Sequence, residues 1–179
     1  MIDKKSLRQD IKKLANSLPD TYFPSADAII FDKIISSDIY QSCKTIFTYV
    51  STSKEPDTLA LINHALSEGK TVCVPKCRPG RQMDAIEIKT LEDLQAASFG
   101  ILEPVNNTPI VSPKSIELGI IPCVSANLRK ERLGHGGGYY DIFLQESPMY
   151  KMCLCYKALL TDEIPLDDHD ILMDEVITN

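Results

Sequence analysis

Four of the chain's eight glycines fall within the five residues Gly134 to Gly138, and this run is the pattern with the clearest chemical meaning. Glycine costs conformational entropy, so a cluster is expected where the backbone turns sharply or approaches another group closely. A helix-like segment follows the run and begins at Tyr139. A helix start exposes unpaired N–H groups, and the helix dipole adds positive potential. The pattern therefore predicts an anion site, most simply a phosphate site.

Charged side chains flank the glycine run and suit a bound phosphate. Arg132 precedes the run, and a guanidinium can hold a phosphate through two parallel hydrogen bonds. Asp141 lies one turn into the helix-like segment, and Mg²⁺ is usually bound through one or two carboxylates plus phosphate oxygens. The run matches neither the Walker pattern nor the dinucleotide fingerprint. A tight turn without a ligand is the alternative, but three consecutive glycines exceed what such a turn requires.

Two further charged features could contribute to a site. Residues 3–18 predict an amphipathic helix, and Lys4 and Arg8 flank its apolar stripe, where the helix would meet the rest of the domain. Basic residues on a surface helix are most often only solvated, but this placement puts them within reach of a cleft. Glu55 follows a predicted buried strand, in a loop of the kind that often carries functional residues.

Strand-like and helix-like segments alternate along the chain, which favours an α/β fold with a largely parallel sheet. In such sheets ligands bind at the carboxyl ends of the strands. The loops 51–56, 76–82 and 123–138 would therefore lie along one edge of the sheet. The length of 179 residues predicts a single domain, 1–179. The predicted strands span residues 44–50, 71–75, 83–88, 117–122, 150–156 and 174–178.

Composition and charge exclude several classes of protein. A formal net charge of −6 argues against a general nucleic-acid binder or membrane-surface binder, because either would need a cationic field. No apolar run approaches membrane-spanning length, and the N-terminal segment has no apolar signal core. The six cysteines lack metal-site spacing and are expected to be buried and reduced. These features predict a cytoplasmic protein and are compatible with a monomer.

The chain resembles the 5-formyltetrahydrofolate cyclo-ligase family nearly from end to end. The block at 132–141 is highly specific, and a basic N-terminal helix accompanies it, as in that family. The segments that carry the resemblance are KKSLR at 4–8, FTYVSTSKEPDT at 47–58, VPK at 74–76, FGILEP at 99–104, IIP at 120–122, RLGHGGGYYD at 132–141 and MDEVIT at 173–178.

The resemblance implies a three-layer α/β/α sandwich and a cytoplasmic enzyme that uses Mg²⁺ and ATP. Family members convert 5-formyltetrahydrofolate into 5,10-methenyltetrahydrofolate and release ADP and phosphate. The chemistry proposed for the family begins with transfer of the γ-phosphoryl group to the formyl oxygen, after which N10 attacks and phosphate leaves. The partners it implies are two small molecules, a reduced folate and ATP.

The resemblance also implies roles for individual residues. Lys4, Lys5 and Arg8 would hold the phosphates of ATP from the N-terminal helix, and Asp141 and Asp174 would bind Mg²⁺. The other ATP-binding positions form one run, namely Arg132, Leu133, Gly134, His135, Gly136, Gly137, Gly138, Tyr139 and Tyr140. The folate-binding positions would be Val50, Glu55, Phe99 and Tyr140.

Four positions depart from the family pattern. Cys123 stands where glycine is usual, Asn127 where aspartate is usual, and Phe99 where tryptophan is common, while His135 replaces a residue that is often arginine or tyrosine. Two other functions stay open on the sequence alone. One is a phosphate-binding relative on a similar scaffold, such as a sugar-phosphate isomerase or a CoA-ester binder. The other is a folate or nucleotide binder without catalysis, for which Asn127 is the only hint.

Overall fold

The computed structural model describes residues 3–97, 101–105, 109–145 and 147–179. Within these ranges the helices are α1 (Lys4–Ser17), α2 (Tyr22–Ile35), α3 (Asp38–Ser42), α4 (Leu59–Ser67) and α5 (Tyr139–Gln145). The strands are β1 (Thr45–Thr48), β2 (Thr71–Arg78), β3 (Gln82–Ile88), β4 (Leu94–Ala96), β5 (Leu102–Pro104), β6 (Ile110–Val111), β7 (Leu118–Ile121), β8 (Ser125–Ala126), β9 (Arg132–Leu133), β10 (Tyr150–Leu154) and β11 (Glu175–Ile177).

Seven strands form the central sheet, in the order β11-β10-β7-β1-β2-β3-β6. The strands from β11 to β2 pair in parallel, whereas β3 and β6 add to one edge in antiparallel fashion. The α/β class with a largely parallel sheet is therefore confirmed. None of the described helices is both long and apolar enough to cross a membrane.

The order of the strands explains where a ligand can bind. The chain passes from β1 through α4 to β2 on one side, and from β7 through α5 to β10 on the other. Parallel crossovers are nearly always right-handed, so connections in opposite directions place α4 and α5 on opposite faces. This arrangement gives the three layers. The connections that follow β1 and β7 leave these two neighbouring strands in opposite directions. In α/β sheets a ligand-binding crevice opens beyond the carboxyl ends of the two strands where this happens.

The centre of the sheet is apolar on both faces, as is usual for parallel strands covered by helices. Phe47 of β1 packs on Phe143 of α5, with ring centroids 4.7 Å apart. Leu118, Ile120 and Ile121 of β7 are fully buried. Gly119 lies between them, and a Cβ there would come within 2.3 Å of the sulphur of a buried methionine. A larger residue at 119 would therefore have to displace the Met149 side chain.

Carboxylate caps and a glycine define three of the helix ends. The Asp3 carboxylate accepts hydrogen bonds from two backbone N–H groups of the first turn of α1 and so forms its N-terminal cap. The Asp57 carboxylate accepts hydrogen bonds from the backbone N–H groups of Leu59 and Ala60 at the start of α4. Gly69 follows α4 with a φ of 75°, the left-handed conformation that commonly ends a helix.

Pairing between strands overrode the local signals in two loops. The predicted loop 76–82 is a hairpin, because β2 continues to Arg78 and the polar pair Lys76 and Asp84 lie opposite each other in the register of β2 and β3. The predicted loop 123–138 contains the antiparallel pair β8 and β9. Polar side chains at the tip of the β2–β3 hairpin are exposed, whereas Ser125 and Arg132 of the β8–β9 pair are buried and hydrogen-bonded.

The cysteine prediction is confirmed except at one position. All six cysteines are free, and five are buried, but Cys77 is exposed. It lies near the end of β2, beyond the part of the strand that the helices cover. Burial raises the pKa of Cys73 to about 12, so that thiol stays neutral.

Candidate active site

A large cavity opens beyond the carboxyl ends of β1 and β7. It encloses about 520 Å³, and its walls come from α1, from the loops that follow β1, β7 and β10, and from His135 of the glycine run. Glu55 lies in this wall, as the position of its loop predicted. A cavity of this size can take a small organic molecule.

A smaller, strongly charged cleft lies beside the glycine run. It encloses about 190 Å³ and contains basic residues from three separate parts of the chain. The structure therefore brings the N-terminal helix to the glycine run, as the predicted phosphate site requires. Its charged residues are Lys4, Arg8, Arg81, Arg132, Asp141, Asp167 and Asp170.

Arg8 connects the two openings, since it lies in the wall of both. Its Nε donates a 2.7 Å hydrogen bond to the carbonyl oxygen of Gly134. Gly136 follows with a φ of 97°, and a Cβ there would lie 3.3 Å from the guanidinium carbon of Arg8. Glycine at 136 thus allows both the left-handed turn and the close approach of the arginine.

Arg132 and Asp141 form a partly buried ion pair, with Nη2 2.5 Å from Oδ1. The Arg132 side chain is 4% exposed and that of Asp141 is 20% exposed. Nη1 of Arg132 donates to the carbonyl oxygen of Pro122, while its buried Nε has no hydrogen-bond partner among the described residues. The sequence assigned Arg132 to phosphate and Asp141 to Mg²⁺. The structure adds that each holds the other in place.

Lys4 closes the other side of the small cleft. Its ammonium group lies 2.6 Å from Asp167 and 2.5 Å from Asp170. Burial acts to lower the pKa of Lys4, but these two carboxylates outweigh it and hold the pKa above its usual value. From the sequence alone, Asp167 and Asp170 belong to an acidic run that is typical of a solvated loop, and no local signal distinguishes them. What distinguishes these two aspartates is their contact with Lys4 of α1, at the other end of the chain.

Glu55 and His135 are in contact in the wall of the large cavity. Oε1 of Glu55 lies 3.2 Å from Nε2 of His135. The other carboxylate oxygen accepts hydrogen bonds from the backbone N–H and the hydroxyl of Thr52. Burial acts to raise the pKa of Glu55, but the contacts with His135 and Thr52 outweigh it and hold the pKa below its usual value. The carboxylate is therefore ionised at neutral pH.

Six of the predicted binding residues that the structure describes do not line either opening, namely Lys5, Val50, Leu133, Gly137, Tyr139 and Tyr140. Lys5 is exposed on α1, where its backbone N–H bonds to the cap residue Asp3. Val50 is buried at the end of β1. Tyr140 packs against Phe47, with ring centroids 6.2 Å apart. Burial raises its pKa well above the usual value despite the nearby Arg132 charge, so the phenol stays protonated.

Two of the predicted residues lie outside the site as the structure describes it. Asp174 precedes β11, at the amino-terminal end of the sheet strands and thus at the edge opposite the cleft. Its carboxylate lies 2.8 Å from Nζ of Lys151 and also accepts a hydrogen bond from the backbone N–H of that residue. Asp174 is therefore not brought to Asp141, and it is Asp170 that shares a cleft with it. Phe99 lies outside the described residues.

Comparison with known proteins decides the family. The model of the 5-formyltetrahydrofolate cyclo-ligase family matches residues 1–179. This chain belongs to that family. The probable 5-formyltetrahydrofolate cyclo-ligase of Schizosaccharomyces pombe is 29% identical over 194 residues, covering 99% of this chain and 95% of that protein. The 5-formyltetrahydrofolate cyclo-ligase of Mus musculus is 27% identical over 187 residues, covering 97% and 92%.

A solved structure of similar fold supports the membership of this chain in the cyclo-ligase family. The structure of Aquifex aeolicus 5,10-methenyltetrahydrofolate synthetase superposes with a TM-score of 0.85 at 26% identity, covering 98% of this chain and 89% of that one. Like these relatives, this cyclo-ligase family member is an enzyme of the ligase class.

Asn127, which departs from the cyclo-ligase pattern, has a structural role in this chain. Its Oδ1 accepts hydrogen bonds from the backbone N–H groups of Arg129 and Glu131, and its Nδ2 donates to the Glu131 carboxylate. These bonds close the turn between β8 and β9. The Asn127 side chain thus stabilises the hairpin. The replacement of the usual aspartate by asparagine therefore gives no support to a non-catalytic function.

Proposed function

We propose that this protein uses ATP and Mg²⁺ to convert 5-formyltetrahydrofolate into 5,10-methenyltetrahydrofolate, releasing ADP and phosphate. One observation carries the proposal. A cleft rich in arginine and glycine opens next to a larger cavity, and Arg8 belongs to both walls. A nucleotide in the cleft could therefore present its terminal phosphoryl group to a substrate in the cavity.

The phosphates of ATP would lie along the glycine run. Arg8 and Arg132 both lie against Gly134 of the run and supply positive charge, and their planar guanidinium groups suit phosphate oxygens. Phosphoryl transfer depends on positioning and charge neutralisation more than on covalent help from the protein. The hydrogen bond from Arg8 to Gly134 fixes the first of these groups, and the ion pair with Asp141 fixes the second.

The donor set of the small cleft fits Mg²⁺. Asp141 and Asp170 both lie in its wall, and carboxylate oxygens are the ligands that this hard cation prefers. When bound, Mg²⁺ would neutralise charge that develops on the phosphates. Lys4 holds Asp170 in the wall, and Arg132 does the same for Asp141.

The large cavity would hold the folate. The ionised carboxylate of Glu55 can accept hydrogen bonds from N–H groups of a pterin ring, and His135 and Thr52 keep it oriented. An amide oxygen is a poor leaving group, so the formyl oxygen must be activated before the ring can close. Transfer of the γ-phosphoryl group to this oxygen would activate it. N10 would then attack the formyl carbon and lose its proton, and phosphate would leave from that carbon.

The decisive experiment mixes the purified protein with 5-formyltetrahydrofolate, ATP and Mg²⁺ and follows methenyl-folate absorbance. We expect product only when ATP and Mg²⁺ are both present, with one ADP formed for each methenyl-folate. Absence of ATP-dependent product would reject the proposed activity. Binding of ATP and folate without turnover would favour a non-catalytic binder instead.

A further inference from the structure

Arg81 lines the small cleft, but the mechanism proposed above gives it no role. It lies at the tip of the hairpin between β2 and β3, in a turn formed by Pro79–Arg81. Its guanidinium reaches the glycine run, because a Cβ built on Gly138 would lie 3.7 Å from both Cδ and Nη1 of Arg81. The hairpin thus contributes a cation to the cleft from a third part of the fold.

Arg81 is an exposed residue in the wall of the cleft. Its side chain makes no hydrogen bond or ion pair with the residues that the structure describes. Two other basic residues of the cleft have carboxylate partners, Lys4 with Asp170 and Arg132 with Asp141. An unpartnered guanidinium beside paired charges leaves positive potential for an anionic ligand at this point.

The turn itself gains nothing from an arginine at this position. Arg81 has a φ of 61°, next to Gly80 at 76°. The left-handed conformation is strained for residues with a Cβ, and glycine would adopt it at lower cost. The presence of an arginine at position 81 is therefore explained by its contact with the glycine run and not by the conformation of the turn.

We propose that Arg81 is a nucleotide-binding residue that contacts the phosphates nearer the ribose and leaves the transferred phosphoryl group to Arg8. This inference rests on the proposed function. Arg8 borders both openings and lies beside Gly136, so it faces the point where nucleotide and folate would meet. Arg81 borders only the small cleft and lies beside Gly138, farther along the run.

A folate polyglutamate tail is the other anion that this hairpin could attract, and the geometry disfavours it. Arg81 does not line the large cavity. Arg78, on the same hairpin, already pairs with Asp84. The basic residues of the hairpin therefore do not form a shared surface that leads away from the folate cavity.

The test uses the Arg81→Gly variant of the full chain, which removes the guanidinium and relieves the turn. We expect its thermal midpoint to equal or exceed that of the wild type. We also expect the KM for ATP and the dissociation constant for ADP to rise together, by roughly 10-fold or more, since hydrogen bonds to charged groups are strong. The kcat at saturating ATP and the KM for folate should stay near the wild-type values.

The matched control is Arg78→Ala, which removes a charge from the same hairpin outside the cleft and should leave all four quantities unchanged. Unchanged ADP affinity in Arg81→Gly would overturn the inference. So would a rise in KM for polyglutamyl folate alone, or a fall in kcat with normal ADP affinity. If the wild type binds ADP but shows no turnover, the proposed function fails. In that case, weaker ADP binding by Arg81→Gly would still support the phosphate contact.

Discussion

Arg8 donates a hydrogen bond through Nε to the carbonyl oxygen of Gly134, 126 positions further along the chain. The contact attaches the N-terminal helix to the glycine run and fixes the guanidinium between the two openings. Because the rest of the guanidinium fork has no carboxylate partner among the described residues, it is available to a phosphate.

Replacing Arg8 tests this arrangement. We expect Arg8→Ala to lower kcat/KM for ATP by roughly 10- to 100-fold, since a hydrogen bond to a charged group contributes about 1.5–3 kcal/mol. Lys13→Ala is the control, because Lys13 lies on the same helix, is largely exposed and, among the described residues, pairs with Asp10 alone. Steady-state kinetics at varied ATP measure both variants. Near-normal ATP kinetics in Arg8→Ala would show that the phosphates lie elsewhere.

Gly136 offers a test of the geometry that does not remove a charge. We expect Gly136→Ala to lose stability by about 1–2 kcal/mol from its positive φ and also to impair ATP use, because the new methyl group would press on the Arg8 guanidinium at 3.3 Å.

Gly69→Ala separates these two effects. Gly69 has a φ of 75°, but a Cβ there would meet nothing within 4 Å. It should therefore lose similar stability, measured by denaturant unfolding, and keep normal kinetics. Equal kinetic effects in the two glycine variants would mean that the loss in Gly136→Ala comes from stability alone.

The contact between Glu55 and His135 predicts a pH dependence of stability. The folded-state pKa of Glu55 is held below its ordinary value of 4.5, so the ionised carboxylate favours the folded state. This contribution is fully present above pH 4.5 and is lost as the pH falls through the lowered value. Glu55→Gln should therefore be less stable than the wild type at neutral pH, and the difference should shrink in acid.

Thermal unfolding from neutral pH to below pH 4.5 measures the stability difference between the wild type and Glu55→Gln. The His135→Ala variant provides a second comparison. Removing His135 should bring the pKa of Glu55 closer to its ordinary value and move the loss of stability to higher pH. A constant difference between the wild type and Glu55→Gln at every pH would show that the Glu55 charge has no part in it.

Asp141 tests the metal site. We expect Asp141→Asn to need several-fold more Mg²⁺ for half-maximal activity, because the amide oxygen can still accept from Arg132 but no longer carries charge. Titration of activity with Mg²⁺ measures the change. Asp10→Asn, an exposed position on α1, controls for the loss of one negative charge. An unaltered Mg²⁺ requirement would exclude Asp141 as a ligand.

The sequence alone determined the features that depend on residues close together in the chain, namely the type of each element and the local backbone geometry. The apolar stripe of 3–18 predicted α1, and alternating segments predicted the α/β class, because hydrophobic periodicity reflects how each element is buried. The glycine run predicted special backbone geometry, and Gly136 and Gly138 have φ values that other residues rarely adopt. The same local block, with the basic helix, also carried the family resemblance that comparison then confirmed.

The tertiary structure decided which of these parts meet. Asp170 and Asp174 are four residues apart, yet one faces Lys4 in the cleft and the other faces Lys151 at the opposite edge of the sheet, because the chain between them runs to the amino-terminal end of β11, which begins at Glu175. Arg81 reaches the glycine run only because β2 and β3 pair as a hairpin. Such contacts depend on strand order and register, which distant parts of the chain set together, and no local pattern encodes them.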